Sequence, residues 1–232
     1  KIAIEKEIQI VICIDEFQQI SDFEDSKTFQ KKLRSVWQLQ QHVSYCLFGS
    51  KKHLMNELFE KKNLPFYKFG DAIYLTKIET KYWIEYICKR FENTGKHISP
   101  ELAEEICRLV DNHSSYVQQL SWLLWIRTIN TATTEQLSYA LEDLLDQNNI
   151  LFQSETENLS AYQMNFLKAI VDGIHTKFSS KEVISKYNLG TSANIVRLKN
   201  ALLQKELIET NGKEIVLADP VFEVWFKKEM LY

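Results

Sequence analysis

Residues 8–16 read Ile-Gln-Ile-Val-Ile-Cys-Ile-Asp15-Glu16, an apolar, β-branched run that ends abruptly in two adjacent carboxylates. The run is too short for a helix of ordinary length. It suits a strand buried on both faces, as in a parallel sheet flanked by helices. Ligands of open α/β sheets bind beyond the carboxyl ends of the strands, so two acids at that end are placed for chemistry. The alternative is a strand that ends in a solvated acidic turn.

The sequence around Asp15-Glu16 has the form of a Walker B element of a P-loop ATPase. There the first acid helps to hold Mg²⁺ and the second polarises the water that attacks the γ-phosphate. The partner motif, G-x-x-x-x-G-K-[ST], is absent. Its backbone N–H groups must wrap the phosphates and its Lys must reach them. The six glycines, at 49, 70, 95, 173, 190 and 212, include no pair with that spacing, and Gly95-Lys96 is followed by His97. The sequence also begins at Lys1 rather than at a Met. The expectation is therefore a fragment that lacks Walker A, with a P-loop strand and about one further βα unit upstream. Such a fragment is inactive as an ATPase, with no cofactor expected in it.

A chain of 232 residues holds one large domain or two to three small ones. With 45% hydrophobic residues, 25% charged residues and a net charge of −3, it has the balance of a water-soluble globular protein. No apolar stretch approaches the roughly 20 residues of a membrane span, so a membrane partner is not expected. Cys13, Cys46, Cys88 and Cys107 are scattered among apolar neighbours without a CxxC pair. They read as small buried hydrophobes of a reducing compartment, which favours a cytoplasmic location. His42, His53, His97, His113 and His175 lack metal-ligand spacing. From Ser160 to Tyr232 there are 10 Lys/Arg against 8 Asp/Glu, a mild excess that permits a nucleic-acid surface there.

Three segments follow one another. Residues 1–76 alternate strand and helix: strand 8–14, a helix from Ser26 (the expected N-cap) to His42, strand Tyr45–Phe48, helix Lys51–Lys62, and a third strand, Ala72–Leu75. Phe29, Leu33, Val36, Trp37 and Gln40 mark the periodicity of the first helix. This order implies right-handed crossovers and a parallel sheet. Residues 77–159 are helical, with Ser99 capping a helix that begins at Pro100, Ser114 or Ser115 capping the next, and Thr133 or Thr134 starting another. The helix at 116–130 is apolar on several faces and is expected to be buried, Trp122 and Trp125 with it. The polar run 153–158 is the candidate boundary, although it can also be helical. Residues 160–232 show three helices followed by two short strands around Asn211-Gly212, a strong hairpin signal. Three helices and a hairpin make the winged form of the helix-turn-helix, with 191–205 as recognition helix.

Taken together, the segments resemble the archaeal-type AAA+ ATPases (the MNS/STAND-like clade). These carry an ATPase core, a helical lid and a C-terminal winged helix, in an order shared with the origin-recognition ATPases. The matching stretches are Ile10–Phe17 for Walker B, Cys46–Ser50 for the sensor-1 strand, Tyr116-Val117-Gln118-Gln119-Leu120 for a lid motif, and Asp219-Pro220-Val221-Phe222 with Trp225 for the closing D-P-x-F-x-x-W stretch. The resemblance implies a partial P-loop NTPase α/β sheet followed by an all-α lid and a winged helix, mostly α overall. It further implies ATP and Mg²⁺ as ligands of the full-length protein, with Asp15 contacting Mg²⁺ through water and Glu16 activating the hydrolytic water. Ser50 would read the γ-phosphate; an ordinary Gly-Ser turn is the equal alternative. The chain departs from the family at Lys68-Phe69-Gly70, where an Arg is common, and at Asn112–Ser115, where a Gly-His-Pro-like start is usual. Arg90 and Arg108 read as solvated helix charges rather than as a sensor-2 arginine.

For double-stranded DNA, the recognition helix offers Thr191, Ser192, Asn194, Arg197 and Lys199, with Lys213 at the wing tip against phosphate. Ile195, Leu198, Leu202 and Leu203 face the domain core. The winged helix can instead dock another protein or its own chain. The rival reading is a non-enzymatic DNA-binding or protein-interaction module with a vestigial Walker B strand.

Overall fold

Consecutive β-branched residues favour extended backbone, and Ile10–Ile14 forms β1, which pairs in parallel with β2 (Val43–Leu47). The structure is a computed structural model that describes residues 2–230. The chain divides into two compact units, Lys1–Leu75 and Thr76–Tyr232.

In the first unit, a short helix α1 (Ile2–Glu5) precedes β1, and a 3₁₀ turn (Phe17–Asp22) follows it. Then come α2 (Ser26–Trp37), β2 and α3 (Lys52–Glu60). Its core is small and aromatic: Phe17, Ile20, Leu58 and Phe66 are buried, with Leu33, Trp37, Phe59 and Phe69 packed against them. Phe66 meets Phe17 and Phe69 edge-on, both at 5.3 Å between ring centroids. The Arg34 guanidinium braces the loop beyond α3, donating to the carbonyls of Pro65 and Tyr67.

Several expectations for this unit change. The sheet has two strands among the described residues, and β1 is not covered on both faces: Val11 is 65% exposed. Cys13 and Cys46 lie opposite each other in the register and are exposed rather than buried, because nothing described covers that face. Residues 72–75 form no strand, and Leu75 is 93% exposed. A four-residue apolar run without an adjoining strand among the described residues has no ladder to complete, so local propensity does not suffice. The α2 helix ends at Trp37, not His42, and its N-cap is Asp25 in a left-handed conformation. Ser26 instead donates to the Ile20 carbonyl and accepts from Gln30. Leu33 and Trp37 face the core, whereas Phe29 and Val36 are exposed.

The second unit begins with α4 (Thr80–Glu92), α5 (Pro100–Leu109), α6 (Ser114–Arg127) and α7 (Thr134–Glu157). Ser99 caps α5, its side chain accepting from Leu102 N with Pro100 at the first turn. Thr133 and Gln136 close a capping box on α7, which satisfies two otherwise orphaned N–H groups. The α6 cap is His113, without a side-chain bond, rather than Ser114 or Ser115. Tyr116, Val117, Leu120, Leu123 and Leu124 bury one side of α6, but Trp122, on the other side, is 56% exposed. A continuous apolar circumference in the sequence thus overstated how many neighbours the helix has. The polar run 153–158 takes its helical alternative: α7 reaches Glu157, with Phe152 and Thr156 buried.

The chain continues through α8 (Ala161–Val171), α9 (Lys181–Lys186) and α10 (Ser192–Gln204), then β3 (Ile208–Asn211), β4 (Glu214–Leu217) and α11 (Pro220–Met230). The strands are antiparallel, with Asn211 opposite Glu214, so Gly212-Lys213 is the two-residue turn. Positive φ falls on Gly212 alone of the two, the pattern of a type II′ turn, which matches the strand twist. One continuous core runs from Trp83 to Phe226 and joins the four-helix part to the three helices, hairpin and α11.

Candidate functional site

Glu16 takes a left-handed conformation, φ 48° and ψ 41°, at the carboxyl end of β1. For a residue with a Cβ this conformation costs about 1–2 kcal/mol. The parallel pairing continues past both strands: Phe48 N donates to Ile14 O, and Phe17 N donates to Phe48 O, both at 3.0 Å. That pairing brings Ser50 beside Glu16. Ser50 Oγ donates to Glu16 Oε2 at 3.1 Å, and Gln18 Nε2 donates to the same oxygen. The two donors hold the Glu16 carboxyl below the usual carboxylate range, Ser50 contributing most. Asp15 is exposed, and its Oδ1 accepts the Glu16 backbone N–H at 2.8 Å. The three expected residues are therefore together at one strand end.

Gln18 was not anticipated. It follows the second acid by two residues, and the 3₁₀ turn folds its side chain back onto Glu16. It is 2% exposed, and its Oε1 has no hydrogen-bond partner among the described residues. The signal for it was the Phe17–Ile20 stretch, whose apolar ends anchor a tight turn. Gly49 is required beside it: a Cβ there would overlap Gln18 Oε1 and lie 3.2 Å from Met55 Sδ.

The donor set suits a hard cation in part. Mg²⁺ is commonly held by one or two carboxylates with waters and substrate phosphates, and Asp15 offers an exposed carboxylate oxygen for this. Among the described residues no group of three or more ligating side chains occurs, so phosphate and water would complete the coordination. A glycine-rich phosphate cradle is not encoded in these 232 residues.

The candidate nucleic-acid face lies in the winged-helix part. Thr191 caps α10, accepting from Asn194 N at 3.3 Å. Asn194 Nδ2 donates to Leu189 O at 3.0 Å, so this side chain is engaged in the turn between α9 and α10. Ser192, Arg197 and Lys213 are exposed, and Lys199 is half-buried. Ile195, Leu198 and Leu202 are buried and Leu203 packs against the core, as their spacing predicts. No described helix is long and apolar enough to cross a membrane.

Residues 150–228 match the family described as "Probable winged helix domain". No curated protein matches the sequence. Among solved structures, the chain is similar to the Walker-type ATPase of Pyrococcus abyssi, with 17% identity and a TM-score of 0.71 over 94% of this chain and 63% of that one. The chain thus spans less than two thirds of that structure. The RuvB Holliday junction branch migration motor of Thermotoga maritima aligns over 100% of this chain and 73% of its own, with 13% identity and a TM-score of 0.47. The Orc1 protein of Aeropyrum pernix, solved in complex with DNA, aligns over 97% and 66%, with 12% identity and a TM-score of 0.46. The Pyrococcus likeness is one of fold, and the two weaker ones add nothing to it. The architecture is a mostly helical chain with a small parallel sheet and a C-terminal winged helix, a fold similar to that of the Pyrococcus structure.

Proposed function

We propose that this chain is the acid-pair, lid and winged-helix part of an AAA+-like ATPase that couples its nucleotide state to double-stranded DNA. The observation that carries the reading is the strand-end cluster: Asp15-Glu16 closes β1, and Ser50 from the end of the parallel neighbour binds the Glu16 carboxylate at 3.1 Å. In the active protein Asp15 would hold Mg²⁺ through water. Mg²⁺, when bound, neutralises charge on the transferring phosphate. Glu16, kept ionised by Ser50 and Gln18, accepts a hydrogen bond from the attacking water and orients it. Ser50 would exchange its bond to Glu16 for one to the γ-phosphate. Residues 77–159 serve as the lid and 160–232 as the DNA-contacting winged helix.

These 232 residues contain no G-x-x-x-x-G-K-[ST] cradle for the phosphates, so turnover is tested in the full-length gene product. With Mg²⁺ it hydrolyses ATP, and Glu16→Gln retains ATP binding while turnover drops by two orders of magnitude or more (on the order of the 10²–10⁴ ascribed to a general base). Unchanged turnover removes Glu16 from this role. The DNA half is tested on the chain itself, by a mobility shift that weakens as salt rises.

A further inference from the structure

Beyond its first residue, Ser192, the exposed side of α10 is one narrow stripe. Ala193, Val196, Arg197, Asn200 and Gln204 are all exposed and lie at spacings of 3, 4, 7 and 11 from the first. At 3.6 residues per turn they share a single face, opposite the buried Ile195, Leu198 and Leu202. Asn194 is half-buried, and its Nδ2 donates to Leu189 O, which holds this side chain in the turn between α9 and α10. We propose that α10 reads base edges in the major groove through Arg197 and Asn200, with Arg197 specifying guanine, Asn200 specifying adenine, and Val196 against a thymine methyl. This rests on the DNA reading above and sharpens it from a helix to its base-reading side chains.

Three observations favour a duplex as the occupant of this face. The helix Ser192–Gln204 contains Arg197 and Lys199 and no acidic residue, in a chain whose net charge is −3. Its N-terminal end adds the positive pole of the helix dipole. The stripe contains one large apolar side chain, Val196, at 60% exposure, whereas a protein-docking face concentrates aromatic and apolar anchors. The residue types then match base chemistry. A guanidinium bonds bidentately to guanine O6 and N7, and a carboxamide bonds to adenine N6 and N7. Arg197 and Asn200 are separated along the axis by about 4.5 Å, against about 3.4 Å per base pair, so their two bases lie within two base pairs of each other.

The experiment uses the 232-residue chain and a randomised duplex library. Sequences are selected on the wild type, and competition anisotropy then compares wild type, Arg197→Ala and Asn200→Ala on the selected duplex and its single-base variants. Both replaced side chains are exposed, and circular dichroism confirms that each variant is folded. The expected result is an enriched guanine and adenine within two base pairs. Asn200→Ala then loses about 5- to 150-fold discrimination at the adenine alone, and Arg197→Ala does so at the guanine. Binding without sequence preference, or a preference that both variants retain, overturns the proposal while leaving DNA binding intact. No binding at low salt overturns the DNA reading and this assignment together, and leaves protein docking as the role of the face.

Discussion

Tyr116, near the start of α6, donates its phenolic hydrogen to Asp219 Oδ2 at 2.5 Å, across 103 positions of sequence. The other oxygen of Asp219 accepts from Val221 N and Phe222 N, so the same carboxylate caps α11. Behind it, Phe152 on α7 packs against Phe222 and Trp225, and the Trp225 indole donates to Asn149. One carboxylate therefore satisfies a helix end and ties the four-helix part to the last helix. Its neighbourhood is the join between two stretches that the sequence suggested were separate motifs.

Tyr116→Phe keeps the ring packing and removes only the hydroxyl. A hydrogen bond to a charged group contributes about 1.5–3 kcal/mol, and here its loss leaves Asp219 Oδ2 short of a partner. Chemical denaturation should show a loss of that size. In thermal scans it corresponds to roughly 3–12 °C for a unit of this length. The phenol itself is held above the tyrosine range, first by burial and then by its bond to Asp219. Phenolate absorbance of Tyr116 should therefore appear only as the unit unfolds in alkali. Titration of this phenol in the folded state near pH 10 would contradict the buried pairing.

Glu155 gives a stability prediction with the opposite sign to the usual carboxylate. Burial, and secondarily the Asp219 charge, raise its proton affinity above the ordinary value. The native state then holds this proton more tightly than the unfolded chain does. The resulting stability is present in acid and is lost as pH rises from about 4.3 through the folded value. At neutral pH the ionised group is a penalty. Glu155→Gln should be more stable than wild type at pH 7 and equal to it at pH 3–4, measured by urea unfolding across that range. A variant less stable at pH 7 would show that the carboxylate is a favourable partner there.

Ser50→Ala tests the site electrostatics without nucleotide. Glu16 titrates below the ordinary carboxylate range because Ser50, and then Gln18, bond to its charged form. Its stabilising contribution is present above the unfolded value near 4.3 and is lost as pH falls through the lower folded value. With the hydroxyl gone, the Glu16 side-chain ¹³C resonance should titrate at a higher pH than in wild type. Ser50 is exposed, so the fold should tolerate the change. An unmoved titration would assign the shift to Gln18 alone.

The elements with local instructions were legible before the structure. The strand expected over 8–14 (Ile10–Ile14 in the structure), the Ser99 and Thr133 caps, and the buried Ile195, Leu198 and Leu202 of α10 all follow from periodicity and cap chemistry. The misreadings occur where pairing or neighbours decide. Residues 72–75 have strand composition but no adjoining strand among the described residues, and Trp122 lies in an apolar helix yet is exposed. At the site, Asp15, Glu16 and Ser50 were visible because each closes an apolar strand. Gln18 was not, because a 3₁₀ turn rather than a periodic element aims it. On α10 the sequence reading picked Asn194 and passed over Asn200. Only the fold separates Asn194, engaged with Leu189, from the outward Asn200.

Gly49→Ala probes that unforeseen side chain. Gly49 precedes Ser50, and a Cβ at 49 would overlap the end of the Gln18 side chain with Met55 Sδ close by at 3.2 Å. Gln18 is buried and cannot simply swing into solvent. It must leave its bond to Glu16 or push the 3₁₀ turn outward, and either movement takes one of the two donors from the carboxylate. The variant should lose about 1–3 kcal/mol, the range for overpacking a filled site. It should also raise the pH at which Glu16 titrates, through the displaced Gln18 side chain. The double variant Gly49→Ala with Gln18→Ala supplies the control: removing the obstructed side chain should restore part of the lost stability. If the double variant is as destabilised as the sum of the single changes, Gln18 is not what Gly49 makes room for.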